Sequence, residues 1–240
     1  MVLLMPRPLL PLYQAARARG MAVVSTPPEG GRVHYYGGPR YADRLALDLA
    51  LLEPPDAWLP SLPWELTRRR IEAMTLGEAR SLEGPVFVKP PSDKGFPARV
   101  YRGDLPGLPH DTAVLVSEVV EFAVEYRLHV LDGELHTGSR YATWGLLDPA
   151  PLGAEAGRLR EFVRALPSLP SAVVVDVGLI GPPDDPRADL VVVEANMAWF
   201  SQPYLGDPGR VLDVVLRAAG PRDEVSAGDR RFVRQCRCAS

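Results

Sequence analysis

The sequence predicts a mixed α/β protein, and three observations carry that expectation. Short valine-rich runs recur along the chain as strands. Segments with apolar residues at helical spacing fall between some of them. Proline, glycine and Asp-Gly turn signals punctuate the rest. A chain of 240 residues at 46% hydrophobic composition can bury one sizeable core or two small ones.

Residues 1–26 read as strand, helix, strand. Val2–Leu4 and Met21–Ser25 are apolar runs, and Pro8 to Arg19 is a helix with an early proline and Gly20 as its stop. The stretch 33–38 (VHYYGG) is a third strand. Together they make a small, reduced Rossmann-like α/β unit over 1–60, too short for a full dinucleotide-binding domain and without GxGxxG. The four prolines of 53–63 suggest a linker. Helices are expected over Trp64–Ala73 and Thr75–Arg80.

From Val86 the pattern turns to strands: 85–89 (PVFVK), 98–101 (ARVY), 113–118 (AVLVSE), 124–131 (VEYRLHVL) and 134–139 (ELHTGS). Asp132-Gly133 between the last two is a hairpin signal. Glu155–Leu166 is an amphipathic helix through Leu159, Phe162, Val163 and Leu166. Two strands, 172–177 (AVVVDV) and 190–195 (LVVVEA), are apolar on both faces, so both sides of their sheet should be covered. Asp207-Pro208 opens a last helix and Gly220 closes it. The charged, aperiodic segment 221–240 reads as a flexible tail that carries both cysteines, Cys236 and Cys238.

A net charge of -3 does not suggest a protein that tracks nucleic acid by charge. No run of 18 apolar residues is present, so no membrane span is expected. The first residues (MVLLMPRPLLPLYQ) lack a basic n-region, and a cytoplasmic location without a signal peptide is the expectation. GxxxxGK[ST] and GxSxG are also missing.

The chemistry concentrates in a few positions. Of 27 basic residues only Lys89 and Lys94 are lysine, five residues apart in FVKPPSDKG. A lysine on a glycine-containing loop suits phosphate oxygens. Two valine strands each end in one acid, Asp176 and Glu194, and Asn196 points the same way as Glu194 on an extended strand. Buried acids need a partner or a metal, and oxygen ligands favour magnesium; salt bridges or helix caps at the strand ends are the alternative. Alternation places Glu125, Arg127 and His129 on one face of their strand, His129 more simply as a packing or surface residue than as a base.

In this order, lysine-ending strand, Lys-Gly loop, acid-ending strand, EYR strand and then D…ExN, the residues resemble an ATP-grasp domain over roughly residues 64–218. FVKP, SDKG and EYRLHV are similar to the subgroup named for its arginine and two lysines. The resemblance implies two α+β subdomains, 61–115 and 116–220, clasping a nucleotide. It implies ATP and Mg2+ as cofactors. Lys89 would touch the phosphates, and Lys94 would lie on the loop covering them. Glu118, Val119, Val120 and Glu121 would form the adenine hinge, and Glu125 would hold the ribose. Asp176, Glu194 and Asn196 would hold magnesium. Arg127 and Arg140 would stabilise transferred phosphate or a substrate carboxylate, with Lys94 as a third catalytic group. The implied activity is an ATP-dependent carboxylate–amine ligase working through an acyl phosphate on a small molecule, peptide or protein terminus. Its partners would be a carboxylate-bearing substrate and an amine co-substrate, with no nucleic acid and no membrane. A nucleotide-binding module without ligase activity and a small-metabolite kinase remain the alternatives. The segment 197–204 (MAWFSQPY) departs from the proline- or glycine-rich substrate segment common in such ligases, and its Trp199, Phe200 and Tyr204, with Trp144, are either acceptor-pocket or core residues.

Overall fold

The computed structural model describes residues 1–45, 48–91, 95–183, 185 and 187–235. The first unit holds β1 (Val2–Leu4), α1 (Leu10–Ala18), β2 (Ala22–Val24), β3 (Val33–Tyr35), α2 (Pro39–Ala42) and β4 (Leu49–Leu51). Its strands β2-β1-β3 form a parallel sheet. Leu12 and Ala16, one turn apart on α1, are buried against it.

Next come α3 (Trp64–Thr67), β5 (Ile71–Thr75), α4 (Leu76–Ala79), β6 (Val86–Lys89), β7 (Arg99–Tyr101) and β8 (Ala113–Ser117). The strands make an antiparallel sheet in the order β5-β8-β6-β7. A capping box between Thr75 and Glu78 starts α4, as Thr-x-x-Glu should. The long helix expected over 64–73 is corrected: it stops at Thr67. Arg68 takes a left-handed φ of 48°, and Ile71–Thr75 pairs with β8 instead. Pairing with a neighbouring strand outweighs the local helical preference of that segment. The expected linker 53–63 is also no free tether, because Trp58, Leu59 and Leu62 are buried in the main core.

The remaining elements are β9 (Val124–Leu131), β10 (Glu134–Thr143), β11 (Leu146–Pro151), α5 (Ala156–Arg164), β12 (Ala172–Ile180), β13 (Asp189–Asn196), α6 (Pro208–Ala218) and β14 (Ala219–Pro221). Five strands form an antiparallel sheet, β11-β10-β9-β12-β13. The Asp132-Gly133 turn has φ of 51° and 78°, the paired positive angles a tight hairpin needs. A second such turn, Trp144-Gly145, leads into β11, which sequence reading missed because its leucines are exposed and two prolines interrupt it. One face of the sheet buries Val124, Tyr126, Leu128, Val130, Val173 and Val175 with Leu159 and Val163 of α5. On the other face Ala172 and Val174 pack with Val214 and Ala218 of α6 and with Trp199. Both faces are covered, as the valine runs predict.

Asp207 caps α6 by accepting from the Arg210 N–H at 2.8 Å, and Pro208 opens it. The helix ends at Ala218, and Gly220 pairs within β14 against β4 rather than acting as a stop. The segment after it does not fray over its described part, in contrast to the tail expected there. Phe232 is buried, Asp229 accepts from the Ser171 and Ser226 hydroxyls, and Val233 bridges to Leu52. Arg234, 5% exposed, forks onto both oxygens of Asp43 at 3.0 Å and reaches Glu53 at 2.6 Å. Cys236 and Cys238 lie outside the described residues.

His129 sits on the α6 face, in register with Val174 and Thr137, fully buried and without a hydrogen-bond partner on either ring nitrogen among the described residues. Burial, with the Arg127 charge nearby, pushes its pKa down to about 3.

Two stability predictions rest on these contacts. Replacing Arg234 by alanine removes the shared cation of two half-buried carboxylates and should cost about 3 kcal/mol in urea unfolding; a loss under about 0.5 kcal/mol would mean that the strap formed by residues 221–235 is not anchored there. For His129 the unfolded chain binds the proton first, so its contribution is intact above the unfolded pKa and drains away as pH falls towards 3. Between pH 7.5 and 5.0 the native protein should lose about 2 kcal/mol more than His129→Leu does, and equal losses in the two proteins would refute this assignment.

Candidate functional site

The site grows from the register of the five-stranded sheet. Arg127 on β9, Asp176 on β12 and Glu194 on β13 are consecutive cross-strand partners, so their side chains form one row on the α6 face. Asn196, two residues beyond Glu194, lies on the same face. Across the cleft Lys89 ends β6, the middle of the other sheet, and its ammonium meets the Glu194 carboxylate.

The contacts close into a network. The Arg127 guanidinium donates to Asp176 through Nε at 2.8 Å and Nη2 at 2.6 Å, a bidentate pair around a carboxylate that is 1% exposed. The Asn196 amide donates to Asp176 Oδ2 at 3.2 Å and to Glu194 Oε1 at 2.9 Å. The salt-bridge alternative for the two acids is therefore realised here, with both carboxylates in one cluster. Burial pushes the Glu194 carboxyl up, but Lys89 and the Asn196 amide outweigh that and leave its pKa lowered. For Asp176 burial dominates over the pull of Arg127, and its pKa is raised. Among the described residues no group of three or more His, Cys, Asp or Glu is placed to hold a metal. A cation here would rest on two carboxylates and the Asn196 amide, an all-oxygen set once the amide turns its Oδ1 inward, and that set fits a hard ion such as magnesium.

Two cavities meet at Lys89 and Glu194, which line both. The smaller, about 420 Å³, is a slot between the sheets. Ile71, Phe87 and Val116 wall one side and Phe122 and Val193 the other, with Glu118, Val119 and Val120 along the connection to β9. Gly178 lets this connection approach the sheet, since a Cβ there would stand 2.4 Å from the Phe122 ring. The larger cavity, about 590 Å³, runs past Pro90, Phe96, Asn196 and the 53–59 segment.

Glu125 lines the slot and accepts from the Tyr141 hydroxyl at 2.6 Å; burial is the main reason its pKa is raised. Of the four expected hinge residues, Glu118, Val119 and Val120 line the slot; the Glu118 carboxylate also accepts from the Arg70 N–H at 2.8 Å, and Glu121 is exposed and not among the lining residues.

Arg140 does not join the group. It pairs in register with Tyr126 on the opposite face and binds Asp148 of β11 at 2.9 Å. The two-residue period of a strand separates it from the Arg127 row. Lys94 lies outside the described residues. Of the aromatics, Trp199 is fully buried and donates its indole N–H to the Leu52 carbonyl, so it is core. Trp144 is exposed at the β10–β11 turn. Tyr204 reaches the site, stacked on Tyr141 at 5.1 Å between ring centroids.

Sequence reading missed Arg69 and Tyr141. Arg69 is 6% exposed, donates to the Val192 and Val193 carbonyls at 2.8 and 2.9 Å, and stands 5.4 Å from the Phe122 ring centroid in the slot wall. Burial lowers its pKa to about 10, against the pull of Glu194, which leaves it charged at neutral pH. It is one of three consecutive arginines, and only the left-handed turn at Arg68 distinguishes it. Tyr141 joins the site because a β-bulge between Leu135 and Thr137, which no residue type announces, shifts the register so that Ser139 pairs with Arg127 and Tyr141 follows on the same face.

A family model for an ATP-grasp domain, family 2 of its clade, matches residues 66–214. Among solved structures, the chain is similar to a RimK domain ATP-grasp protein from Sphaerobacter thermophilus, at 20% identity and a TM-score of 0.48 over 90% of this chain and 98% of that one. It is also similar to the ATP-grasp ligase PsnB complexed with a minimal precursor, at 12% identity and a TM-score of 0.49 over 90% and 98%. The macrocyclase MdnC from Microcystis aeruginosa, bound with the precursor peptide MdnA, gives 12% identity and a TM-score of 0.44 over 90% and 99%. No curated protein matches the chain. With 66–214 inside the matched family and the slot, the lysine strand and the acid row all within or beside that span, the chain belongs to the ATP-grasp domain family.

Proposed function

We propose that this protein is an ATP- and magnesium-dependent carboxylate–amine ligase that works through an acyl phosphate and forms an amide or peptide bond on a small molecule, a peptide or a protein terminus. In this reading Arg127, Lys89 and Lys94 are the arginine and two lysines for which the subgroup is named. The observation that carries it is the network that links Arg127, Asp176 and Asn196 to Lys89 and Glu194, the pair that lines both cavities. The slot between apolar walls suits a flat base, and Glu125 at its edge suits the ribose hydroxyls. Lys89 would leave Glu194 for the phosphates, and the larger cavity would take the acceptor.

Asp176, Glu194 and Asn196 would hold magnesium, which supplies charge neutralisation to the phosphates when bound. Arg127 stays charged because Asp176 backs it, and it presents its guanidinium where negative charge gathers on the transferred phosphoryl group. Phosphoryl transfer of this kind needs alignment and charge more than a protein nucleophile. The enzyme thus replaces internal ion pairs by ligand pairs, and each ligand's affinity is reduced by the pair it must open.

Three measurements test the reading. Lys89→Ala should weaken magnesium-ATP at least tenfold by calorimetry, about 1.4 kcal/mol; unchanged affinity would remove Lys89 from the phosphate site. Glu194→Gln should lose the magnesium dependence yet bind metal-free ATP about fivefold more tightly than the native chain, roughly 1 kcal/mol, because Lys89 is released. Weaker metal-free binding would show that Glu194 does not restrain Lys89. For the chemistry, acid and amine together should release ADP and phosphate with an amide product. A stable phosphorylated product would instead identify a kinase, and ATP binding without any turnover would leave a nucleotide-binding module.

A further inference from the structure

We infer that Tyr141, with Tyr204 stacked on it, is a positioning residue that aims Glu125 at the ribose and ties that end of the slot to the 197–206 segment. The inference rests on the nucleotide reading proposed above.

Four contacts converge on this tyrosine pair. The Tyr141 hydroxyl donates to Glu125 Oε2 at 2.6 Å, so one carboxylate oxygen is held and the other is left to the cavity that both residues line. The Tyr141 and Tyr204 rings lie 11° from parallel at 5.1 Å. Arg127 carries its guanidinium carbon 5.4 Å from the Tyr141 centroid and 5.3 Å from that of Tyr204, within cation–π range of both. Arg127 Nη1 also approaches the Gln202 carbonyl at 3.5 Å, in the segment that carries Tyr204.

Each contact restrains a different freedom. A half-buried glutamate among Asp176 and Glu194 has every electrostatic reason to swing away from them, and the phenol hydrogen bond opposes that swing. The stack fixes the plane of the Tyr141 ring and hence the direction of its O–H. Tyr204 takes a left-handed φ of 49°, an uncommon conformation for a residue with a Cβ, which points to a backbone held by its surroundings. A ligand that shifts the 197–206 segment would move Tyr204, then Tyr141, then the donor on Glu125. Arg127 sits between the two rings and the acid row, so the same movement reaches the phosphate end.

A ribose-aiming role predicts a loss of discrimination rather than a general loss of binding. The test is calorimetry of magnesium-ATP and magnesium-2′-deoxy-ATP on the native chain, Tyr141→Phe and Tyr204→Leu. The native chain should prefer ATP by about tenfold. Tyr141→Phe keeps the ring and removes only the donor; it should bring the preference below about threefold while 2′-deoxy-ATP affinity stays within twofold of native. Tyr204→Leu should move the preference in the same direction by less. A native-like preference in Tyr141→Phe overturns the inference while the ATP reading stands. Equal native affinity for the two nucleotides overturns both Glu125 as the ribose ligand and Tyr141 as its guide. Absence of ATP binding by the folded native chain brings down the nucleotide reading and this inference with it.

Discussion

The structure turns on two acids placed side by side in the middle of a sheet. Asp176 and Glu194 are register partners on adjacent strands, and Asp176 is essentially inaccessible to water. Like charges at that separation are tolerated only with cations around them. The fold supplies one from within the sheet, Arg127, and one from across the cleft, Lys89. The second cation has to come from a different sheet, so the electrostatic need of one row also holds two sheets face to face. The slot and the larger cavity are the space left on either side of that contact.

The surroundings of the row are built to keep it in place. Valines on both faces of β12 bury it between α5 and α6, and Asp176 is 1% exposed. The segment after β13 is pinned by Trp199, whose ring fills the core beside Tyr35 and whose N–H binds the Leu52 carbonyl. The C-terminal strap binds Glu53, a residue of the larger cavity's wall, through Arg234. The first unit and the last residues therefore act on the site from a distance, by fixing the walls of the cavity rather than by touching the acid row.

Much of this was legible in the residues, for a physical reason in each case. The valine runs announced strands covered on both faces, because only a two-sided burial favours apolar side chains at successive positions. The single acid at the end of each run, and lysine at 89 in a chain whose other basic residues, Lys94 apart, are arginine, marked positions that the structure brings into one network. What was not legible depended on backbone geometry or tertiary pairing. Arg69 follows the left-handed Arg68, and Tyr141 follows a bulge that shifts the register of its strand. Arg140 shows the converse: next to Tyr141 in sequence, it falls on the other face because successive strand residues alternate sides. The strand β5 read as helix, and the strap over 221–235 read as a tail, because both owe their structure to partners distant in the chain.

A site that neutralises itself has a consequence for how it would be filled. The Asn196 amide donates to both acids, which is the orientation that favours a pair of carboxylates without a metal. A cation between them would require the same amide to present its oxygen, so Asn196 can serve either state by one rotation of its side chain. In the ligase reading proposed above, Lys89 would face a similar exchange between Glu194 and a phosphate. In that reading the exchanges would favour each other: a metal on Glu194 would release Lys89, and a phosphate on Lys89 would release Glu194 for a metal. Cooperative binding of metal and nucleotide would then need no change of fold, only a reallocation of hydrogen bonds among four side chains already in contact. Arg127 is the fixed member of the set, since two hydrogen bonds to Asp176, two aromatic rings and the Gln202 carbonyl hold its guanidinium. A stationary positive charge beside mobile partners is the arrangement that stabilises charge developing on a transferred group without reorganising to meet it.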